Sequence, residues 1–215
     1  MTSARVTTAA FPAPGFADPA RDAQRAFRAV LNATANPTTV FPLAGPDEPP
    51  AALGRGLAAV ALTLLDEDCS VWLGGTLADD TEVTAWLAFH TGARRLDAPG
   101  TADFVITGPD ALPPLSSLAL GTDEAPHQSA TVVLDTRGRT GPVSRSTAPR
   151  FNAPRFNARG PGIDGTATLT APWAPAGFAD AWLANTQIFP RGVDLLLVDA
   201  DSITALPRTT HLTAS

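Results

Sequence analysis

Two runs, Phe104-Val105-Ile106 and Thr131-Val132-Val133-Leu134, decide the fold class. Both are continuously apolar and bounded by turn residues, the pattern of strands buried on both faces rather than strands with one wet side. Val71-Trp72-Leu73 upstream reads as another short strand, with Gly74-Gly75 as its turn. Val193 to Val198 and Ser202 to Leu206, on either side of Asp199-Ala200-Asp201, read as an antiparallel hairpin.

Helical periodicity fills the gaps. Asp18 followed by Pro19 is an N-cap with proline at the first helical position, and Ala20, Ala23, Phe27, Val30, Leu31 and Thr34 keep one face before Asn36-Pro37 stops the helix. After a Pro/Gly-rich break from Pro42 to Pro50, Leu53, Leu57, Val60, Ala61 and Leu64 recur at helical spacing. Asp80 caps a third helix running through Val83, Trp86 and Leu87 to Phe89, with Gly92 at its C-cap. Leu115 to Leu120 reads as a proline-broken helical stretch, and Pro175 to Asn185 as a helix with Phe178 and Trp182 four apart. Helices interleaved with buried strands predict an α/β fold, three αβα layers around a mixed sheet. Residues 1–17 are expected to be a flexible N-terminal segment and 18–215 one domain.

Composition removes several chemistries. All fifteen basic residues of the 215 are Arg, so no Lys is present to form a Schiff base or to serve a P-loop. The single Cys69 allows no intrachain disulfide and no four-thiolate metal site, which suits a reducing compartment. Apolar stretches such as Leu57 to Leu62 fall far short of the ~20 residues of a membrane span. With no continuous apolar block in residues 1–15, the chain reads as cytoplasmic. Charged residues make up 17%, below the usual ~25%, which favours a sizeable subunit interface.

Residues 136–163 carry Arg137, Arg139, Arg145, Arg150, Arg155 and Arg159 without one Asp or Glu, in a chain of net charge −6. Within them Pro149-Arg150-Phe151-Asn152-Ala153 is repeated as Pro154-Arg155-Phe156-Asn157-Ala158, which reads as a small insertion by duplication. The segment could meet nucleic acid through charge and stacking, but the net charge opposes general affinity and favours an acidic partner surface. Gly160-Pro161-Gly162-Ile163-Asp164-Gly165 matches a dinucleotide fingerprint by letter only. Pro161 removes one backbone N–H and a strand follows instead of a helix, so a tight turn is the better reading.

His90, His127 and His211 share no metal-ligand spacing, and no metal site is expected. Asp199 and Asp201 read as turn residues ahead of a magnesium pair. His90 suits the C-terminal end of its helix as a cation, a reading favoured over a catalytic role. Pro207-Arg208-Thr209-Thr210-His211 follows a strand, and one guanidinium fork with two hydroxyls suits an anion such as a phosphate or carboxylate. An arginine pairing with a nearby carboxylate at a strand end fits the same letters equally well. The candidate anion-binding set is Arg208, Thr209, Thr210, His90 and Arg191, with no catalytic residue assigned.

Taken together, Asp22-Ala23-Gln24, Phe27-Arg28, Asn36-Pro37, Phe89-His90-Thr91, Gly160-Pro161-Gly162-Ile163, Phe189-Pro190-Arg191-Gly192-Val193-Asp194 and Pro207-Arg208-Thr209-Thr210 resemble the PhnH family of phosphonate-metabolism proteins. These are the H subunits of the bacterial carbon–phosphorus lyase system. The resemblance covers residues 18–211, and the duplicated 149–158 stretch and Arg191 depart from it. It implies a homodimer whose fold is similar to the large domain of pyridoxal-phosphate-dependent transferases, without that cofactor or any other. It also implies a cytoplasmic core complex with the G, I and J subunits, which joins an alkylphosphonate to the ribose of ATP as adenine leaves. Within it the chain is expected to support assembly of this ribose 1-alkylphosphonate 5-triphosphate synthase, the alternative being a subunit with its own nucleotide or phosphonate site. No membrane and no nucleic acid partner is expected.

Overall fold

Alternate side chains of the central strands enter two different hydrophobic cores, which is why those strands are apolar at every position. The computed structural model describes residues 12–139 and 153–215. In chain order the elements are α1 (Pro19–Ala35), β1 (Phe41–Pro42), α2 (Gly54–Leu64), β2 (Ser70–Leu73), α3 (Thr76–Asp79), α4 (Thr81–Thr91), β3 (Arg94–Arg95), β4 (Phe104–Thr107) and β5 (Thr131–Asp135). There follow β6 (Arg155–Arg159), β7 (Ala167–Thr170), α5 (Phe178–Gln187), β8 (Asp194–Val198), β9 (Ser202–Leu206) and β10 (His211–Ala214).

Seven strands form one mixed sheet in the order β1-β9-β8-β5-β4-β2-β3. The run from β8 to β3 is parallel, and β9 and β1 join antiparallel at one edge. On one face Val71, Leu73, Ile106, Val133, Leu196 and Val198 pack with buried residues of α1, α2 and α4. On the other, Val105, Val132, Leu134, Leu195 and Leu197 pack with Phe178 and Trp182 of α5 and with Phe156, Leu169 and Leu212 of a second sheet. That sheet has the order β10-β6-β7, so the second outer layer is one helix beside a small antiparallel sheet rather than helices alone.

Local signals explain most element ends. Asp18 accepts from the Arg21 N–H at the start of α1, and Asp80 accepts from the Glu82 and Val83 N–H groups at the start of α4. Gly92 ends α4 with φ of 68°, the left-handed conformation that glycine adopts most easily. The stretch around Leu115 forms only a short 3-10 turn, Leu115–Ser117, directly after Pro113 and Pro114.

One expectation needs correcting. The face of α1 that is buried is Ala26, Ala29, Val30 and Ala33, while Phe27 and Leu31 are 45% and 50% exposed. Small residues on α1 meet Ala58, Ala59 and Ala61 of α2, so alanine lets the two helices approach closely and the large side chains are turned outward. The second copy of the repeated pentapeptide lies on the central strand of the small sheet, Arg155–Arg159. The first copy falls mostly outside the described residues. The sequence Gly160 to Gly165 is the tight connection between β6 and β7. Of the N-terminal segment, Ala13 and Phe16 pack against the first core.

Candidate functional site

Arg208 sits just beyond β9, and β9 runs antiparallel to β8, so the guanidinium arrives at the amino ends of the parallel strands. Its partners there are Asp194, the first residue of β8, and Ser129, which precedes β5. Nε donates to both Asp194 carboxylate oxygens, at 3.1 and 3.2 Å, and Nη2 donates to Asp194 Oδ2 and to Ser129 Oγ, each at 2.5 Å. Nη1 donates to the carbonyl oxygens of Pro126 and Pro190, at 3.1 and 3.2 Å. The backbone N–H of Arg208 adds a 2.7 Å bond to Asp194 Oδ1. Every guanidinium N–H therefore has an acceptor inside the chain, and none is left for a ligand.

The neighbouring candidates are also held by their own fold. Thr210 is fully buried, its backbone oxygen accepts from Trp182 Nε1 at 2.8 Å, and its hydroxyl has no hydrogen-bond partner among the described residues. Thr209 is half-buried in the turn between β9 and β10. Arg191 lies 3.2 Å from Asp123 in a largely exposed ion pair. Its segment is fixed by Asn185, whose side-chain amide accepts from the Val193 N–H at 2.8 Å and donates to the Val193 carbonyl at 2.9 Å.

His90 does not join these residues. Its Nε2 lies 2.9 Å from the Ala13 carbonyl oxygen and its ring packs 4.6 Å from that of Trp86, in the layer formed by the first core. Arg208, Thr209, Thr210 and Arg191 cluster at one end of the second core, and His90 shares no hydrogen-bond partner with them among the described residues.

The opposite end of the sheet holds groups that the sequence reading passed over. In open α/β sheets, ligands bind outside the carboxyl ends of the strands, at the point where successive connections leave in opposite directions. Here β2 connects outward to β3 while β4 connects the other way to β5, which places that point between β2 and β4. Nearby, Asp135 at the carboxyl end of β5 accepts from Arg137 Nε at 2.9 Å and from Nη2 at 2.7 Å, and Nη2 also donates to the Ala52 carbonyl at 2.5 Å. Hydrogen bonding to Asp135 raises the Arg137 pKa above its ordinary value, against the opposing effect of burial. Nη1 makes no hydrogen bond among the described residues and faces Gly54 at the start of α2. The sequence signal was an acid closing an apolar run, followed two residues later by an arginine.

An apolar cleft of about 280 Å³ lies between α5 and the 114–120 stretch, lined by Leu115, Leu120, Ala181, Ala184 and Ile188 among others. Among the described residues no three His, Cys, Asp or Glu side chains are grouped to hold a metal ion, and no helix is long and apolar enough to cross a membrane.

Residues 14–213 match the family model described as bacterial phosphonate metabolism protein (PhnH). The chain belongs to the PhnH family. It is 37% identical over 198 residues to the alpha-D-ribose 1-methylphosphonate 5-triphosphate synthase subunit PhnH of Rhizobium meliloti (strain 1021), covering 92% of this chain and 93% of that protein. It is 32% identical over 193 residues to a putative C-P lyase subunit protein, HtxG, of Stutzerimonas stutzeri, covering 88% of this chain and 85% of that one. The match spans both cores and both sheets, so family membership applies to the whole described fold.

Proposed function

We propose that this chain is the PhnH subunit of a carbon–phosphorus lyase core complex, taking part in the transfer of the ribose triphosphate moiety of ATP to an alkylphosphonate with release of adenine. Its similarity over nearly full length to a synthase subunit of that name supports the reading. Within the complex we assign it assembly and support. The observation that carries this assignment is the state of Arg208: the most anion-like motif of the sequence is saturated by Asp194, Ser129 and two carbonyls. The family motifs around it, Phe189 to Asp194 and Pro207 to Thr210, then serve to lock the chain segments together at the amino ends of the sheet.

The same reading takes residues 18–215 as one domain of the kind found in the large domain of pyridoxal-phosphate-dependent transferases, working without a cofactor in the cytoplasm. It also takes the chain as a homodimer that meets the G, I and J subunits. The outward Phe27 and Leu31 of α1 support burial against another surface. The test is reconstitution of the synthase from its separately purified subunits with this chain included or left out. Loss of assembled complex along with loss of turnover supports the assignment, and full activity from the remaining subunits overturns it.

A second reading, a ligand site in this subunit, is favoured by Arg137, whose Nη1 makes no hydrogen bond among the described residues at the carboxyl ends of the strands. Calorimetric titration of the isolated chain with ATP and with methylphosphonate separates the two readings.

A further inference from the structure

The small antiparallel sheet shows one face to the second core and the other to solvent. Phe156, Ala158, Leu169 and Leu212 point inward and are buried. The outward positions include Arg155, Asn157 and Arg159 of the central strand, Thr168 and Thr170 of β7, and His211 of β10. No Asp or Glu lies on any of the three strands, although the chain as a whole carries 21 acids against 15 arginines. The nearest acid along the chain, Asp164, is in the turn between β6 and β7.

This is not the arrangement that stability alone favours. Opposite charges facing each other across strands stabilise a sheet and like charges oppose it. Here Arg159 stands directly opposite His211, and Arg155 stands opposite Thr170. Elsewhere among the described residues Arg25, Arg55, Arg137, Arg139, Arg191 and Arg208 each pair with an aspartate, while Arg21, Arg28, Arg94 and Arg95 do not. Arg155 and Arg159 have no carboxylate partner among the described residues, and Arg159 Nε is bonded only to the Thr166 hydroxyl, at 2.8 Å. The side chains between them are short hydroxyls and an amide, which lose little freedom on being ordered.

We infer that the outer face of the β10-β6-β7 sheet is a docking surface for a carboxylate-rich surface of another protein, a neighbouring subunit of the complex. The inference rests on the subunit reading above. Charge complementarity selects the occupant: two unpaired guanidinium forks suit carboxylates, and the hydroxyls and amide add short-range hydrogen bonds. Nucleic acid fits less well, because the one aromatic of β6, Phe156, points into the core and offers no base a stacking platform. The net charge of −6 also repels long polyanions.

The test is co-purification of the full chain with the other subunits, comparing wild type, R155E/R159E, T168E and the control R94E/R95E, which makes the same change in net charge on exposed sites of β3. Circular dichroism and thermal melts establish that each variant folds, and T168E leaves both arginines in place should the double variant not fold. The expected result is that R155E/R159E and T168E weaken retention by about tenfold or more while the control matches wild type, with wild-type retention falling as salt shortens electrostatic reach. Retention of both face variants at the wild-type level overturns the inference and leaves the subunit reading standing. A wild-type chain that does not co-purify at all overturns the subunit reading, and the inference with it. Binding of duplex DNA or phosphatidylserine vesicles by the isolated chain that R155E/R159E abolishes, or a change in its self-association by light scattering, assigns the face to a different occupant and also overturns it.

Discussion

At each end of the parallel strands an arginine grips a strand aspartate, and the two grips differ in reach. At the amino ends Arg208 joins Asp194, fourteen positions away, and also ties in Pro126, Ser129 and Pro190, so that its own segment meets two others, 126–129 and 190–194, on one guanidinium. At the carboxyl ends Arg137 holds Asp135, only two positions away, and reaches one distant atom, the Ala52 carbonyl. The first is a long-range tether with every donor committed. The second is mostly a local brace with Nη1 to spare, at the end of the sheet where α/β folds place their ligands. Among the described residues Arg208 is thus saturated by its own chain, whereas Arg137 keeps an uncommitted Nη1.

The comparison breaks most readily at Asp194. D194A leaves the Arg208 guanidinium, whose side chain is only 14% exposed, without its counter-charge. Removing one partner of a buried pair costs about 3–5 kcal/mol, and about 3 is expected here because Asp194 is itself 30% exposed. For a chain of this length each kcal/mol lowers the melting temperature by roughly 2–4 °C. A thermal melt should show D194A and R208A destabilised to a similar degree, with no change in ATP or phosphonate titrations. A melting temperature within a degree of wild type would mean that Arg208 is not a tether.

Crowding at the carboxyl end supplies the next test. A Cβ on Gly56 would stand 2.1 Å from the carbonyl oxygen of Asp199, backbone that cannot swing aside. G56A should cost about 1–3 kcal/mol through overpacking of α2 against the end of β8. Denaturant melts read this directly, and a neutral result would show that α2 can move away from the sheet. Arg137 itself should matter less to folding. Its side chain is 27% exposed and that of Asp135 19%, so R137A should cost about 1 kcal/mol once solvent screening is allowed for. If Nη1 serves a ligand, R137A in the reconstituted synthase lowers activity far more than it lowers the melting temperature. Parallel losses in both would make the two arginines equivalent and erase the contrast between the ends.

What the sequence disclosed follows from how each signal is carried. The strands β4, β5 and β8 were legible because burial on both faces leaves an unbroken apolar run, and α4 because Asp80 and Gly92 mark both of its ends. The inward face of α1 was not, because alanines at 26, 29 and 33 carry a weaker hydrophobic signal than the outward Phe27 and Leu31. The strand β6 was hidden by its alternation, since Arg155, Asn157 and Arg159 look like loop chemistry until Phe156 and Ala158 between them are seen in the core. Arg208 was legible as a residue able to hold either a ligand anion or a nearby carboxylate, and in the structure Asp194 lies against its fork. Letters alone could not choose that carboxylate over an external one, because the pairing depends on β9 returning antiparallel to the start of β8.

The smallest expected effect is also the sharpest test of whether any of the Pro207 to Thr210 motif faces a ligand. The Thr210 hydroxyl is buried and has no hydrogen-bond partner among the described residues, while the backbone on either side is bound to Pro207 and Trp182. Thr210→Val keeps the shape and removes only the hydroxyl. An unsatisfied buried polar atom costs about 1–3 kcal/mol, so taking it out should leave stability unchanged or raise it by up to about 1 kcal/mol once the reference state is counted. If the hydroxyl instead holds a substrate oxygen or a partner's polar atom, the same change leaves the isolated chain's melt untouched and weakens the assembled complex or its turnover. Thermal melts of the free chain set beside activity of the reconstituted synthase separate these outcomes. A stabilised T210V with full activity places the whole motif, with Arg208, on the structural side of the comparison, whereas a silent melt with lost activity restores the amino end as a second place where this subunit meets its ligand or its neighbours.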